Sequence, residues 1–308
     1  MNILKKTFIL CLSIGLMFLL PSGDSLGKSG DPVLKGPFLG QIPPGEKPVI
    51  FAPGIVSTPA IEHGTLSVSP DGLEIYWSII SDDWQEGAVY LTREENGYWT
   101  KPGIAGFSRT EYRDLCPILS REGKSLFFTS TRPLDGKKGY NLWRIQRTGG
   151  KWSAPEPLPT TINNGCQSGC TMDGNNTLYF MSWKKGDPQT CDLFTSVFKD
   201  GKYLEPENMG PEINSSQVET SPFISPDGSY LLFSSSGRND GMGGFDLYVS
   251  FFQENGSWSQ AVNLGPAFNS DKDEWFPSVT PDGRYIFFIS GKSGNADYYW
   301  VNAKVLKK

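Results

Sequence analysis

A short turn that returns five times constrains this chain more than any other feature. Its cleanest copies are Ser69-Pro70-Asp71-Gly72 and Ser225-Pro226-Asp227-Gly228, with Thr280-Pro281-Asp282-Gly283 a near copy. Ser120-Arg121-Glu122-Gly123 and Thr171-Met172-Asp173-Gly174 read as looser copies between them. Proline presets φ at the first central position, aspartate tolerates the second, and glycine closes the turn. A β-branched or aromatic run follows each one, as in Ile75-Tyr76-Trp77, Leu126-Phe127-Phe128 and Ile286-Phe287-Phe288. The turns start 51, 51, 54 and 55 positions apart. Self-similarity at that period marks a propeller or another stacked array.

Each repeat parses into four strands. Strand A precedes the turn and strand B is the aromatic run after it. Strand C is a segment such as Asn141-Leu142-Trp143 or Asp246-Leu247-Tyr248. Hairpin signals at Asn96-Gly97, Gly149-Gly150, Asp200-Gly201 and Asn255-Gly256 then lead to a strand D carrying Trp99, Trp152, Tyr203 or Trp258. The fifth repeat lacks strand D, and Val49-Ile50-Phe51-Ala52-Pro53 matches the missing pattern from the other end of the chain. The expectation is an all-β, five-bladed propeller of four-stranded antiparallel blades, closed by this N-terminal strand. Closure of that kind removes an open edge. Six blades, with a degenerate one in Lys28 to Pro59, is the alternative.

Residues 1–27 read as a signal peptide, with Lys5 and Lys6 ahead of an apolar stretch from Thr7 to Leu20. Residues 28–47, rich in glycine and proline, read as a linker or extended arm, and 48–308 as one propeller domain. The expected protein is therefore exported, periplasmic or secreted, with no membrane span after processing, and a monomer. One histidine in 308 residues excludes multi-histidine metal sites, and no metal or cofactor is expected. A net charge of −5 disfavours nucleic acid as a partner.

The repeats resemble the WD40-like β-propeller repeats typified by TolB (PD40-type). The residues that carry the resemblance are the Ser-Pro-Asp-Gly turns, Ser130-Thr131-Arg132 and Gly244-Phe245-Asp246-Leu247-Tyr248. It implies the propeller fold and the binding of proteins or ligands, and says little about activity.

Chemistry in a propeller concentrates at the channel mouth. Acids stand six positions before the turn at Asp114, Glu219 and Glu274, while His63, preceded by Glu62, holds that place in blade one and Gly165 in blade three. The B–C loops add Arg132, Lys184, Arg238 and Lys292. These residues suit a charged mouth that holds a ligand, or ion pairs that tie blade to blade. Glu62, His63, Asp114, Arg132, Glu219, Arg238 and Glu274 are the candidate ligand-binding residues. His63, Asp114, Glu219 and Glu274 are the candidates for acid–base work. Trp84, Trp183 and Trp275 lie where they could stack on sugars. Cys116 and Cys166 lead into adjacent A strands and are the expected disulfide, with Cys170 and Cys191 as buried thiols. With no nucleophile elbow, phosphate loop or Cys-x-x-Cys present, the sequence favours a non-catalytic propeller binding a protein or envelope component through its channel face. The alternative is a carbohydrate-active enzyme, hydrolase or lyase, using the mouth carboxylates on a glycan.

Overall fold

A computed structural model describes residues 34–136 and 139–307. The segment expected to be a signal peptide, residues 1–27, lies outside them. Among the described residues no helix is long and apolar enough to cross a membrane.

Five antiparallel sheets form the blades. In blade two, Leu115–Leu119, Ser125–Ser130, Asn141–Thr148 and Glu156–Pro157 are strands A to D. The outermost strand has only two residues in every blade: Gly103–Ile104, Glu156–Pro157, Glu207–Asn208, Val262–Asn263 and, in blade five, Val49–Ile50. Val49 and Ile50 pair with Trp300 and Tyr299, so the N-terminal strand closes the ring as expected.

Its alignment with the other blades needs correction. Ile50 is the counterpart of Ile104, Pro157, Asn208 and Asn263, because each faces the same strand-C position. The aromatics Trp99, Trp152 and Tyr203 sit earlier, on the short arm returning from the C–D hairpin. A two-residue strand has no room for alternation, so the flanking aromatics are the stronger signal in the sequence and only the pairing identifies the strand.

Strand B is apolar without alternation because neighbouring blades cover both its faces. Tyr76, Phe128, Ile145 and Trp143 pack between blades one and two, and Phe180, Leu142, Leu178 and Ile118 between two and three. At the closing seam, Phe51 and Phe38 pack on Phe287 and Trp300, with Phe287 stacked on Trp300 at 5.9 Å. The described end of the linker is thus anchored to blade five. Trp99 Nε1 also donates to the Gly36 carbonyl at 2.7 Å.

A polar residue from each linker caps the preceding blade. The strand-C amides of Val89, Leu142, Leu193, Leu247 and Tyr298 donate to Ser108, Asn163, Asn214, Asn269 and Ser57 side chains at 2.8–3.1 Å. This fixes where the following strand A enters the mouth.

Candidate functional site at the channel mouth

Blade three's turn falls two residues later than its sequence suggests. Asp173 Oδ1 accepts from the amides of Asn175 and Thr177, and Asn176 takes the left-handed conformation with φ 63°. Aspartate has replaced the capping serine and asparagine the glycine. Six positions before Asp173 stands Gln167, not Gly165. Blade one carries one extra residue, so Glu62 rather than His63 is the repeat acid there. The structural series is Glu62, Asp114, Gln167, Glu219 and Glu274, all fully buried.

Two residues after each of these, strand A bulges through positive φ: Gly64 119°, Cys116 55°, Gly169 48°, Ser221 55° and Phe276 51°. A bulge re-aims the strand toward the channel. At Gly64 only glycine fits, since an added Cβ would lie 2.7 Å from the Cys116 amide nitrogen.

The acids of blades four and five are held in one pattern. Glu219 accepts from Ser215 Oγ and amide, Ser235 Oγ and Arg238, at 2.7–3.1 Å. Glu274 accepts from Ser270 Oγ and amide and from Ser290 Oγ, at 2.7–2.9 Å. Asp114 accepts from Ser108 Oγ, the Arg109 amide and Arg132. Burial pushes its carboxyl up, and the Arg132 guanidinium holds it back. The cations continue past the acids to linker carbonyls: Arg132 to Phe107 O, Arg238 to Ile213 O and Lys292 to Phe268 O. These groups bind blade to linker.

Glu62 is the exception. Its strand-B partner position, filled by Ser130, Ser182, Ser235 and Ser290 elsewhere, is Ile79, and two residues on stands Ser81 rather than a cation. Thr58 serves it, through amide and hydroxyl at 3.0 and 2.9 Å. Among the described residues its Oε2 is buried without a partner. Burial pushes this carboxyl up to about 8, and nearby Asp297 adds to the rise against the Thr58 bonds. Glu62 therefore keeps its proton at neutral pH. The sequence held the signal, in Ile79 and Ser81.

His63 points into a cluster of rings. Phe276 lies at 4.7 Å, Trp84 at 5.0 Å and Trp275 at 6.5 Å, and Trp275 continues to Phe245 at 5.7 Å. Enclosure pushes the imidazole down to about 4, so it is neutral at pH 7. Trp84 is 44% exposed and sits in the left-handed region at φ 60°, a conformation that costs a non-glycine residue on the order of 1 kcal/mol or more. The result is an aromatic strip crossing blades one, five and four. Trp183 lies apart from it, against Tyr140 at 5.5 Å.

The expected Cys116–Cys166 disulfide is not formed, and Cys116, Cys166, Cys170 and Cys191 are free and buried. The bulge turns Cys116 toward Ser168 and Thr129 of the channel wall, and burial pushes its thiol up to about 11. Cys166 is paired across to Trp183 instead. The turn aspartates cap their own loops, as Asp71 does with Ser69 and the Leu73 amide. Among the described residues no three or more acidic, cysteine or histidine side chains could together hold a metal ion.

The fold defines a five-bladed β-propeller built from sequence repeats. No family model and no curated protein matches the chain. Among solved structures it is similar to an endo-arabinase from Bacteroides thetaiotaomicron, at TM-score 0.54 and 15% identity, over 80% of this chain and 95% of that one. It is also similar to an α-L-arabinofuranosidase from Lactobacillus brevis, at TM-score 0.52 and 12% identity, over 80% and 92%. A further match is a glycoside hydrolase, at 0.54 and 9%, over 81% and 92%. At these identities the likeness shows the fold alone. These neighbours are glycan-cleaving enzymes, and that overturns the expectation of a non-catalytic propeller for a protein or envelope ligand.

Proposed function

We propose that this protein is an exported, carbohydrate-active propeller that holds a glycan against the aromatic strip of His63, Trp84, Trp275 and Phe245. In the same reading its repeats are of the TolB-like, WD40-like type. The flat indole of Trp84, 44% exposed, suits the apolar face of a sugar ring. The observation that carries the proposal is a buried carboxyl with an unpartnered oxygen, Glu62, next in the chain to His63 of that strip. A perturbed acid with an unspent oxygen marks a candidate functional position. Glycosidic cleavage needs one carboxyl that gives a proton and another that is ionised. Glu62 fits the first role. Asp114 and Glu219 each face an arginine; all three carboxyls are fully buried, so a bound glycan must open the seam to reach any of them.

The test is a hydrolysis and lyase screen on arabinan, xylan, galactan and glucan oligosaccharides, with Glu62→Gln and Trp84→Ala compared with the parent. Turnover lost in Glu62→Gln and KM raised in Trp84→Ala are expected. No glycan bound or cleaved, or both variants unchanged, would sink the proposal.

A further inference from the structure

The seam where the ring closes is fastened differently at the mouth. At three of the five seams a backbone hydrogen bond crosses near the repeat acid. The Asp114 amide donates to Gly87 O at 3.2 Å, Gln167 to Tyr140 O at 3.0 Å and Gly244 to Lys272 O at 3.2 Å. Between blades five and one no backbone hydrogen bond does so among the described residues, and side chains take its place. Asn295 Nδ2 donates to the carbonyls of Thr58 and Ala60 at 2.8 and 2.9 Å. Asn295 stands between strands B and C of blade five, next to the left-handed Gly294 at φ 88°. Its neighbours in that loop are tied to blade five itself, the Gly291 amide to Asp273 O and Ser293 Oγ to Asp297. Inside the seam the Tyr298 hydroxyl donates to Gly64 O at 2.8 Å and Ser57 caps the Tyr298 amide at 3.1 Å.

The bend Thr58-Pro59-Ala60 carries both donors that Glu62 receives, so Asn295 holds down the segment that covers the acid. Thr58, Ala60 and Asn295 are half-buried and Pro59 is exposed, whereas Glu62 beneath them is fully buried. The counterparts of Thr58, Ser215 and Ser270, serve acids that strand B also grips through Ser235 and Ser290. Blade one has Ile79 at that place and supplies no such grip. We infer that Asn295 is a latch: parting its two bonds lifts the Thr58–Ala60 bend and admits solvent and ligand to Glu62, while the Tyr298 and Ser57 bonds keep the ring shut. This deepens the reading of Glu62 as the working acid and rests on it for its purpose, since a closed seam gives a glycan no way in. A sugar seated on Trp84 brings hydroxyl donors for the two carbonyls that lose the amide.

Carboxyl labelling tests the latch without any glycan. The protein is treated with a carbodiimide and glycinamide, and modification of each acid is followed by peptide mass mapping. Asp114, Glu219 and Glu274 are equally buried and serve as internal controls. Asn295→Ala removes the donor, and Asn295→Asp sets an acceptor against the two carbonyls. Both should speed modification of Glu62 by about tenfold, the loss of two neutral hydrogen bonds, and leave the three controls at the parent's rate. Hydrogen exchange of the parent protein gives a second measurement that needs no variant. The Thr58 amide should exchange about tenfold or more faster than those of Ser215 and Ser270, because it opens locally. Glu62 modified no faster in either variant, all four acids accelerating together, or equal protection of the three amides would each overturn the inference. Gated labelling with no glycan bound would keep the latch and remove the glycan reading; glycan cleavage with ungated labelling would do the reverse.

Discussion

Replacing Glu62 with glutamine should raise stability at alkaline pH, because the parent carries a buried acid whose proton the folded state holds too tightly. In the unfolded chain Glu62 ionises near its ordinary 4.5, whereas in the folded chain it does so near 8. Between those values the folded state binds more protons than the unfolded one, so stability falls as pH rises, by about 1.4 kcal/mol per pH unit. The total reaches about 5 kcal/mol by pH 8. His63 acts in the opposite sense. Its imidazole titrates near 6.5 unfolded and near 4 folded, so below 6.5 acid costs stability at a similar slope. From 4.5 to 6.5 the two slopes cancel. From 6.5 to 8 Glu62 acts alone and should remove about 2 kcal/mol. Urea unfolding followed by tryptophan fluorescence, at several pH values from 5 to 8.5, measures both proteins. The advantage of Glu62→Gln over the parent should grow by about 2 kcal/mol across the upper window, whatever constant offset the new amide introduces. Parallel pH profiles would refute the reasoning.

Other consequences follow from the same seam and its counterparts. Ile79→Ser restores the serine found in the other four blades, whose hydroxyl donates to the acid in blades four and five, and should flatten the alkaline decline; an unaltered slope in urea titrations would count against it. Arg132→Met leaves Asp114 buried without its cation and should cost about 3–5 kcal/mol. Adding Asp114→Asn should recover part of that loss, measured by the same unfolding assay. Gly64→Ala forces a side chain into positive φ and against the Cys116 amide, and should destabilise by about 2 kcal/mol or more; a melting temperature equal to the parent's would show the bulge to be soft. Denatured without reductant, the segment from 34 to 308 should titrate four thiols. Two would mean that a bridge forms.

The blades were legible because each turn type needs particular residues at fixed places, and the aromatic run after it is dense. The closing strand was legible because one blade was short of a strand. What escaped has physical reasons. Asp173 and Asn176 do the work of serine and glycine by the same capping and left-handed geometry, so the misleading Gly174 shifted the third turn. The acid series was blurred in blade one by a single inserted residue at a bulge, which pairing alone reveals. Counting from the turn assigned His63 to the place that Glu62 holds. The cysteine pairing failed because the two cysteines hold different repeat positions: Cys116 stands at the bulge, two residues after Asp114, whereas Cys166 stands one residue before Gln167.

Departures from a repeat carry more meaning than the repeat. The acid–serine–cation set recurs because every blade must be fastened to its linker, and a carboxylate buried with its partners does that at modest net cost. Blade one discards the serine and the cation but keeps the acid. A change made only for stability would have discarded the acid too, as blade three did with Gln167. The same blade holds Trp84 at positive φ and places the chain's one histidine between rings, two further features with a stability cost and no fastening role. Three costs converging beside one strip of half-exposed aromatics point to selection for something other than the fold. Blade three departs in a different way. Its acid becomes the neutral Gln167 and its loop the two-residue turn Lys185-Gly186.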